Sequence, residues 1–332
     1  MWPKGMNIDI SKTKNVLIIG AGTMGVGIAQ SFAQAGLTVK LADISREILD
    51  KSIAHIRANV ALFQEYGLIQ ETPQAILFRI RPVLSQSLEQ ALRNSEYVVE
   101  AIPEVLDTKR KTLARLEEYG YNGIIASNTS SFLITELVQG MKNPGRVIGV
   151  HFFNPAHIIP AVEVHMGEST TEETLEVTRQ LMLKVGKKPV LVRKVLPGFI
   201  VNRLTGALER EIDHLLDEGV VTPQDLDTAI KASIGFRMAC LGPQETEDMI
   251  GLDIALTVGN RVYKTLSNAT GASPTLAEKV KKGELGIKSG KGWYDYSGKT
   301  QTEVLDSNNR KLLQQLALFH TRENDIIVDK RL

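Results

Sequence analysis

Apolar residues fall into short β-branched runs separated by helical stretches over the first part of the chain, and the pattern then turns wholly helical. Val16-Leu17-Ile18-Ile19 is short and entirely apolar, as an inner parallel strand requires. Met24 to Ala35 follows with helix-forming residues and no proline. Thr38 to Ala42 is a second apolar-rich run, and it ends in Asp43. The same reading predicts strands at 16–20, 38–42, 97–101, 123–126, 146–152, 161–165 and 189–192. Helices are predicted at 24–36, 45–65, 87–93, 106–119, 131–140 and 171–186. This alternation predicts an α/β fold, a Rossmann-like doubly wound parallel sheet. The late strands are so closely spaced that the sheet is expected to finish antiparallel.

Past Leu196-Pro197-Gly198, apolar residues recur at helical spacing from Phe199 through Leu216. Gly219 would end that helix, and Thr222 would cap the next, with Pro223 in its first turn. Further helices are predicted at 223–234, 243–267, 275–283 and 308–319. The chain thus reads as a Rossmann-like domain over 1–192 and an all-α C-terminal domain over 193–332. The long apolar face on 199–216 exceeds the needs of one small helical domain and predicts a homodimer surface.

The first strand–helix–strand unit carries Gly20-Ala21-Gly22-Thr23-Met24-Gly25 at its turn. Gly20 permits the tight turn, Gly22 lets a pyrophosphate approach the backbone, and Gly25 lets the helix pack on the sheet. The N–H groups opening the helix face the phosphates. Asp43 suits the ribose hydroxyls, and its charge disfavours a 2′-phosphate, so NAD is expected over NADP; Arg46 softens that argument. A glycine turn in an unrelated α/β protein is the bland alternative, but strand, helix, second strand and acid together favour a dinucleotide. A redox enzyme follows.

Composition narrows the class. The chain has 332 residues, 43% hydrophobic and 23% charged, with a net charge of +1. Nucleic acid and anionic membranes are poor partners for such a chain. No apolar stretch reaches bilayer length, and Met1 to Lys14 lacks the apolar core of a signal peptide. Cys240 is the one cysteine, so no intrachain disulfide forms. These features predict a cytoplasmic protein.

Four downstream motifs carry candidate chemistry: Ser127-Asn128-Thr129-Ser130-Ser131, His151-Phe152-Phe153-Asn154-Pro155, Glu163 between two valines, and Pro197 to Arg203. His151 ends an apolar strand, where ligand crevices of open α/β sheets lie. Glu163 sits in the next strand, close enough to hold one ring nitrogen and raise the basicity of the other. Removing a hydroxyl proton as hydride leaves the same carbon needs such a base. Each residue also has a structural reading: His151 as a strand-end histidine, Glu163 as a buried acid paired with His151 or Arg203, the serine-rich run as a helix cap, Asn154 as a turn residue. His55, His157, His165, His214 and His320 read as solvated or core residues, and no cluster supports a metal.

At these residues the chain resembles the NAD-dependent L-3-hydroxyacyl-CoA dehydrogenase family. The resemblance spans about 15 to 296 and rests on GAGTMGVGIAQ, VVEAIPE, ASNTSS, HFFNP, VEV, PGFIVNR, GPQETEDMIGLD and KSGKGWYDY. It implies that His151 is the general base and Glu163 its orienting partner. Ser130 and Asn202 would contact the substrate around the reacting oxygen. Glu104, Lys109, Asn154 and Lys288 match cofactor-side positions, and Asp43 the ribose-binding one. Members acting on acyl-CoA carry a serine and a lysine near the CoA tail, whose places here fall near Asn59 and Tyr66. Arg237 resembles relatives that oxidise small hydroxy carboxylates; its bland reading is a helix cap or a partner for Glu247. A guanidinium suits a carboxylate.

The first expectation is therefore NAD-dependent interconversion of an L-3-hydroxyacyl-CoA and its ketone, in fatty-acid metabolism. The same chemistry on a small free hydroxy carboxylate follows closely. A protein that retains NADH without chemistry is the alternative of another class, and the intact His151, Glu163, Ser130 and Asn202 argue against it.

Overall fold

The computed structural model describes Ile10 and residues 13–328. The reading of Met1 to Lys14 as no leader falls mostly outside those residues. The chain divides into two compact units, Met1–Ile200 with Leu312–Leu332, and Val201–Lys311.

In the first unit eight strands form one sheet: β1 (Asn15–Ile19), β2 (Thr38–Asp43), β3 (Ile80–Leu84), β4 (Tyr97–Glu100), β5 (Ile124–Ser127), β6 (Val147–Phe152), β7 (Ala161–Met166) and β8 (Lys188–Leu191). Their order is β3-β2-β1-β4-β5-β6-β7-β8. Every neighbouring pair is parallel except β6 with β7. The expected antiparallel finish is thus a single reversal, after which β8 runs parallel to β7. Helices α1 (Thr23–Gln34), α2 (Arg46–Glu65), α3 (Pro73–Phe78), α4 (Leu88–Leu92), α5 (Leu106–Glu118), α6 (Ile134–Leu137) and α7 (Glu172–Lys184) complete the winding.

Both faces of the sheet are covered, which explains the unbroken apolar run of β1. Val16 and Ile18 join one buried cluster with Ile28, Phe32, Val39 and Ile56. Leu17 and Ile19 join the other with Val98, Leu113, Leu116 and Val147. Strand β3 and helix α3 carry no such signature in the sequence. Pro82 sits inside β3, which is tolerable because β3 is an edge strand and half solvated.

The second unit holds α8 (Val201–Asp217), α9 (Pro223–Ile230), α10 (Phe236–Met238), α11 (Pro243–Ile250), α12 (Leu252–Val262) and α13 (Pro274–Lys281). Thr222 caps α9, its hydroxyl accepting from the Asp225 N–H at 3.2 Å. The long helix predicted at 243–267 is broken at Gly251, whose φ of 108° lies outside the reach of most side chains. The helix predicted at 308–319 is longer than expected: α14 runs Gln301–Val328. Its Leu313 and Leu316 are buried against Phe63 and Ile158 of the sheet unit, with Leu312 and Tyr66 at the edge. No helix among the described residues is long and apolar enough to cross a membrane.

Candidate active site

The glycine turn is built as its spacing requires. Gly20 has φ 103°, and a Cβ there would meet the Ala101 carbonyl oxygen at 2.5 Å. A Cβ on Gly25 would lie 1.8 Å from the Gly20 oxygen, so α1 packs as closely as two backbones can. Above Gly22 the space is open to 4 Å, and no side chain caps the helix there. Exposed Thr23 and half-buried Met24 open α1. An open cradle at an uncapped helix start fits a dinucleotide pyrophosphate. Asp43 ends β2 and is tied to this turn, its Oδ2 accepting from the Ala21 N–H at 2.8 Å and its Oδ1 from the Ser45 N–H at 3.3 Å. Arg46 is turned to Asp50, at 2.9 Å.

His151 and Glu163 are directly opposed in the β6–β7 ladder. Cross-strand partners project from one face, so the two side chains meet. His151 Nδ1 lies 2.9 Å from Glu163 Oε2, and the residues are 6% and 1% exposed. The second carboxylate oxygen accepts from the Ile200 N–H at 2.9 Å. A buried carboxylate needs such donors. The contact fixes the proton on Nδ1 and leaves the Nε2 lone pair for a substrate hydroxyl. Phe153 and Phe199 stand edge-on to the imidazole at 4.7 and 5.5 Å.

The serine-rich loop is held beside β6. Phe152 N–H donates to Asn128 Oδ1 at 2.9 Å. Glu104 Oε1 gathers the rest, accepting from Thr129 Oγ1 at 2.6 Å, the Ser130 N–H at 2.8 Å and the Ser131 N–H at 3.0 Å. Partial burial alone would raise the Glu104 pKa; the Thr129 hydroxyl, the Lys109 charge and the Ser130–Ser131 donors outweigh it and hold it below the usual carboxylate value. Lys109 is 1% exposed and lies 2.7 Å from Glu100 and 3.2 Å from Glu104. Its ammonium therefore faces one fully buried acid, Glu100, and one part-exposed acid, Glu104. Ser127 Oγ donates to the other oxygen of Glu100 at 2.6 Å. Asn154 is exposed just past β6.

The helical unit carries the other candidates. Asn202 is exposed in the first turn of α8, Arg237 is exposed on α10, and Lys288 is exposed past α13. Arg237 forms no ion pair with Glu247 among the described residues. No group of metal-ligating side chains is assembled among the described residues. Sequence reasoning gave no individual role to Glu100, Asn128, Phe199 or Ile200, although the last three lie within motifs that it singled out. Glu100 gave a signal, as an acid ending a strand otherwise apolar.

Comparison with known proteins finds two adjoining family matches. The 3-hydroxyacyl-CoA dehydrogenase NAD binding domain matches residues 15–195, and the C-terminal domain of the same family matches 198–296. A 5-formyl-3-hydroxy-2-methylpyridine 4-carboxylate 5-dehydrogenase from Mesorhizobium japonicum is 34% identical over 312 residues, 93% of this chain and 99% of its own. A crystal structure of a dehydrogenase for that pyridine carboxylic acid, described as an NAD-dependent dismutase, superposes with TM-score 0.84 at 32% identity, over 92% of this chain and 98% of that one. A (S)-3-hydroxybutyryl-CoA dehydrogenase from Ralstonia eutropha gives 0.69 at 36% identity, over 86% and 99%.

Proposed function

We propose a substrate class for this chain, which belongs to the 3-hydroxyacyl-CoA dehydrogenase family and is an NAD-dependent oxidoreductase acting on a CH–OH group: a small free hydroxy carboxylate. His151 takes the hydroxyl proton at Nε2. Glu163 holds the ring from Nδ1 and balances the imidazolium charge that forms. Positioned proton transfer of this kind contributes roughly 100- to 10,000-fold in rate. NAD, when bound, supplies the hydride acceptor. Gly20, Gly22 and Gly25 with the start of α1 hold its pyrophosphate, and Asp43 its ribose. Glu104 and Lys109 shape the loop at which Ser130 meets the reacting oxygen, and Asn154 and Lys288 serve the cofactor side. Asn202 steadies the same oxygen, and Arg237 receives the carboxylate.

The observation that carries the free carboxylate over a CoA thioester is α14. Its middle turns, at Leu312, Leu313 and Leu316, pack on α2 around Phe63 and Tyr66, the stretch where a polar CoA anchor is missing. The likeness to the pyridine-carboxylate enzyme covers enough of the 332 residues to extend past 296, into the stretch that α14 occupies. That enzyme's name specifies a free carboxylate. The test is NADH consumption with acetoacetyl-CoA and with a panel of free keto and formyl carboxylates, including pyridine carboxylates. A free carboxylate should give kcat/KM at least tenfold above acetoacetyl-CoA, and Arg237→Ala should raise its KM. A preference for acetoacetyl-CoA would overturn the reading.

The helical unit supports a homodimer. Helix α8 buries no residue, and Leu204, Phe236, Met249, Leu252 and Leu256 are 61–75% exposed. An apolar surface of this extent is characteristic of an interface.

A further inference from the structure

Beside the dyad stands a histidine that the proposed chemistry does not use. His165 follows Glu163 by two residues on β7, so both side chains leave the same face of the strand. It is fully buried, and neither ring nitrogen has a hydrogen-bond partner among the described residues. Buried polar groups are costly unless bonded, so such a ring demands an explanation.

Strand register supplies one side of it. Glu100 pairs with Ser127, Ser127 with Gly149, and Gly149 with His165. Paired residues share a face, so these four form one row across β4, β5, β6 and β7. The row is polar where it begins. Lys109 Nζ donates to Glu100 Oε1 at 2.7 Å, and Ser127 Oγ donates to Glu100 Oε2 at 2.6 Å. Gly149 leaves a gap in the row, and the His165 ring fills it: a Cβ on Gly149 would lie 2.1 Å from His165 Nε2. The imidazole therefore lies over β6 with its Nε2 edge on Gly149, whose other neighbour in the row is Ser127. About one strand spacing, ~4.8 Å, separates that point from the Ser127 side chain. Two hydrogen bonds of about 2.8 Å through a single water span such a gap.

The other side of the ring meets Phe199, at 4.4 Å between centroids. Phe199 also stands edge-on to His151 and is 3% exposed. Its φ is +51°, an uncommon conformation for a bulky residue and one that needs support from its surroundings. This turn delivers the next N–H, that of Ile200, to Glu163 Oε1.

We propose that His165 is a positioning residue for the His151–Glu163 dyad, its ring bridged by one water to Ser127 and bracing Phe199 so that Ile200 stays on the Glu163 carboxylate. The proposal rests on His151 being the group that moves the proton. His165 suits the task because it stays neutral beside it. Burial, and then the charge on His151, push its pKa down to about 4 against the pull of Glu163. It does not compete for the carboxylate while His151 gains and loses its proton. A ring that merely filled the space over Gly149 could be phenyl, and this separates the two readings.

Full-length protein labelled with 15N-histidine gives the first test, and it needs no substrate. His157 and His165 should both remain neutral from pH 8 to pH 5; the signal absent in His165→Gln should show a slowly exchanging Nε2–H and should move in Ser127→Ala. The second test is kinetic. His165→Phe should bind NADH with Kd within twofold of wild type. Its kcat should fall tenfold or more, with KM little changed, on whichever panel substrate the wild type reduces fastest. His165→Gln should recover kcat to within threefold. A His165→Phe enzyme with kcat within twofold of wild type, or a His165 signal indifferent to Ser127→Ala, would overturn the proposal. Should His165→Phe not fold, the Ser127→Ala spectrum decides alone.

Discussion

Lys109 illustrates how a side chain acquires two readings. By resemblance it is a cofactor-side lysine; by geometry it is the buried counter-charge of Glu100 and Glu104. Removing one partner of a buried pair leaves an uncompensated charge and costs about 3–5 kcal/mol. Lys109→Met should therefore lower stability by that amount in urea titration of the protein without cofactor. A loss under 1 kcal/mol would return the lysine to the cofactor. The meeting of His151 with Glu163 was legible in the sequence, because two neighbouring strands joined by a short turn bring an acid and an imidazole together. The role of Glu100 was less so, since one acid at a strand end does not announce which lysine it meets. The sequence groups His165 with histidines that are solvated or in the core. Only register, which places Gly149 opposite it, distinguishes it from them.

Among the elements, those with clean periodicity were legible and those defined by position were not. The runs forming β1, β2 and β4 to β7 declare themselves because each is largely buried in the sheet, and the half-exposed edge strand β8 by its Val190-Leu191 pair. Strand β3 hides because an edge strand tolerates Pro82 and exposed arginine. The extent of α14 was also hidden, since among its described side chains only Val304, Leu313 and Leu316 are buried, too few to mark a long apolar stripe. Leu313 and Leu316 hold the middle of the helix to α2. Leu313→Ala should cost about 2–5 kcal/mol, the usual range for emptying a packed leucine site. The melting temperature of the full chain checks this, and an unchanged value would mean that α14 is not docked as described.

For the whole molecule, burial of histidines ties stability to pH. The pKa values of His157 and His165 are both lowered from 6.5 to about 4, by burial first and then by the charges of Lys187 and His151 respectively. Below pH 6.5 the unfolded chain takes up protons that the folded chain refuses until about pH 4. Stability is therefore full above pH 6.5 and falls toward pH 4, by about 2 kcal/mol per histidine between pH 7 and pH 5. Urea midpoints at the two values should show the drop, and His157→Gln should lessen it. The exposed apolar helices predict self-association, so sedimentation at micromolar concentration should give twice the 36.6 kDa chain mass. A stable monomer would refute the dimer. The most direct test of the function is the turnover of His151→Gln beside its affinity for NADH. Affinity should stay within a few-fold of wild type while kcat falls at least about 100-fold, the lower bound for losing a positioned base. Turnover within a few-fold of wild type would contradict the assignment of proton transfer to this imidazole.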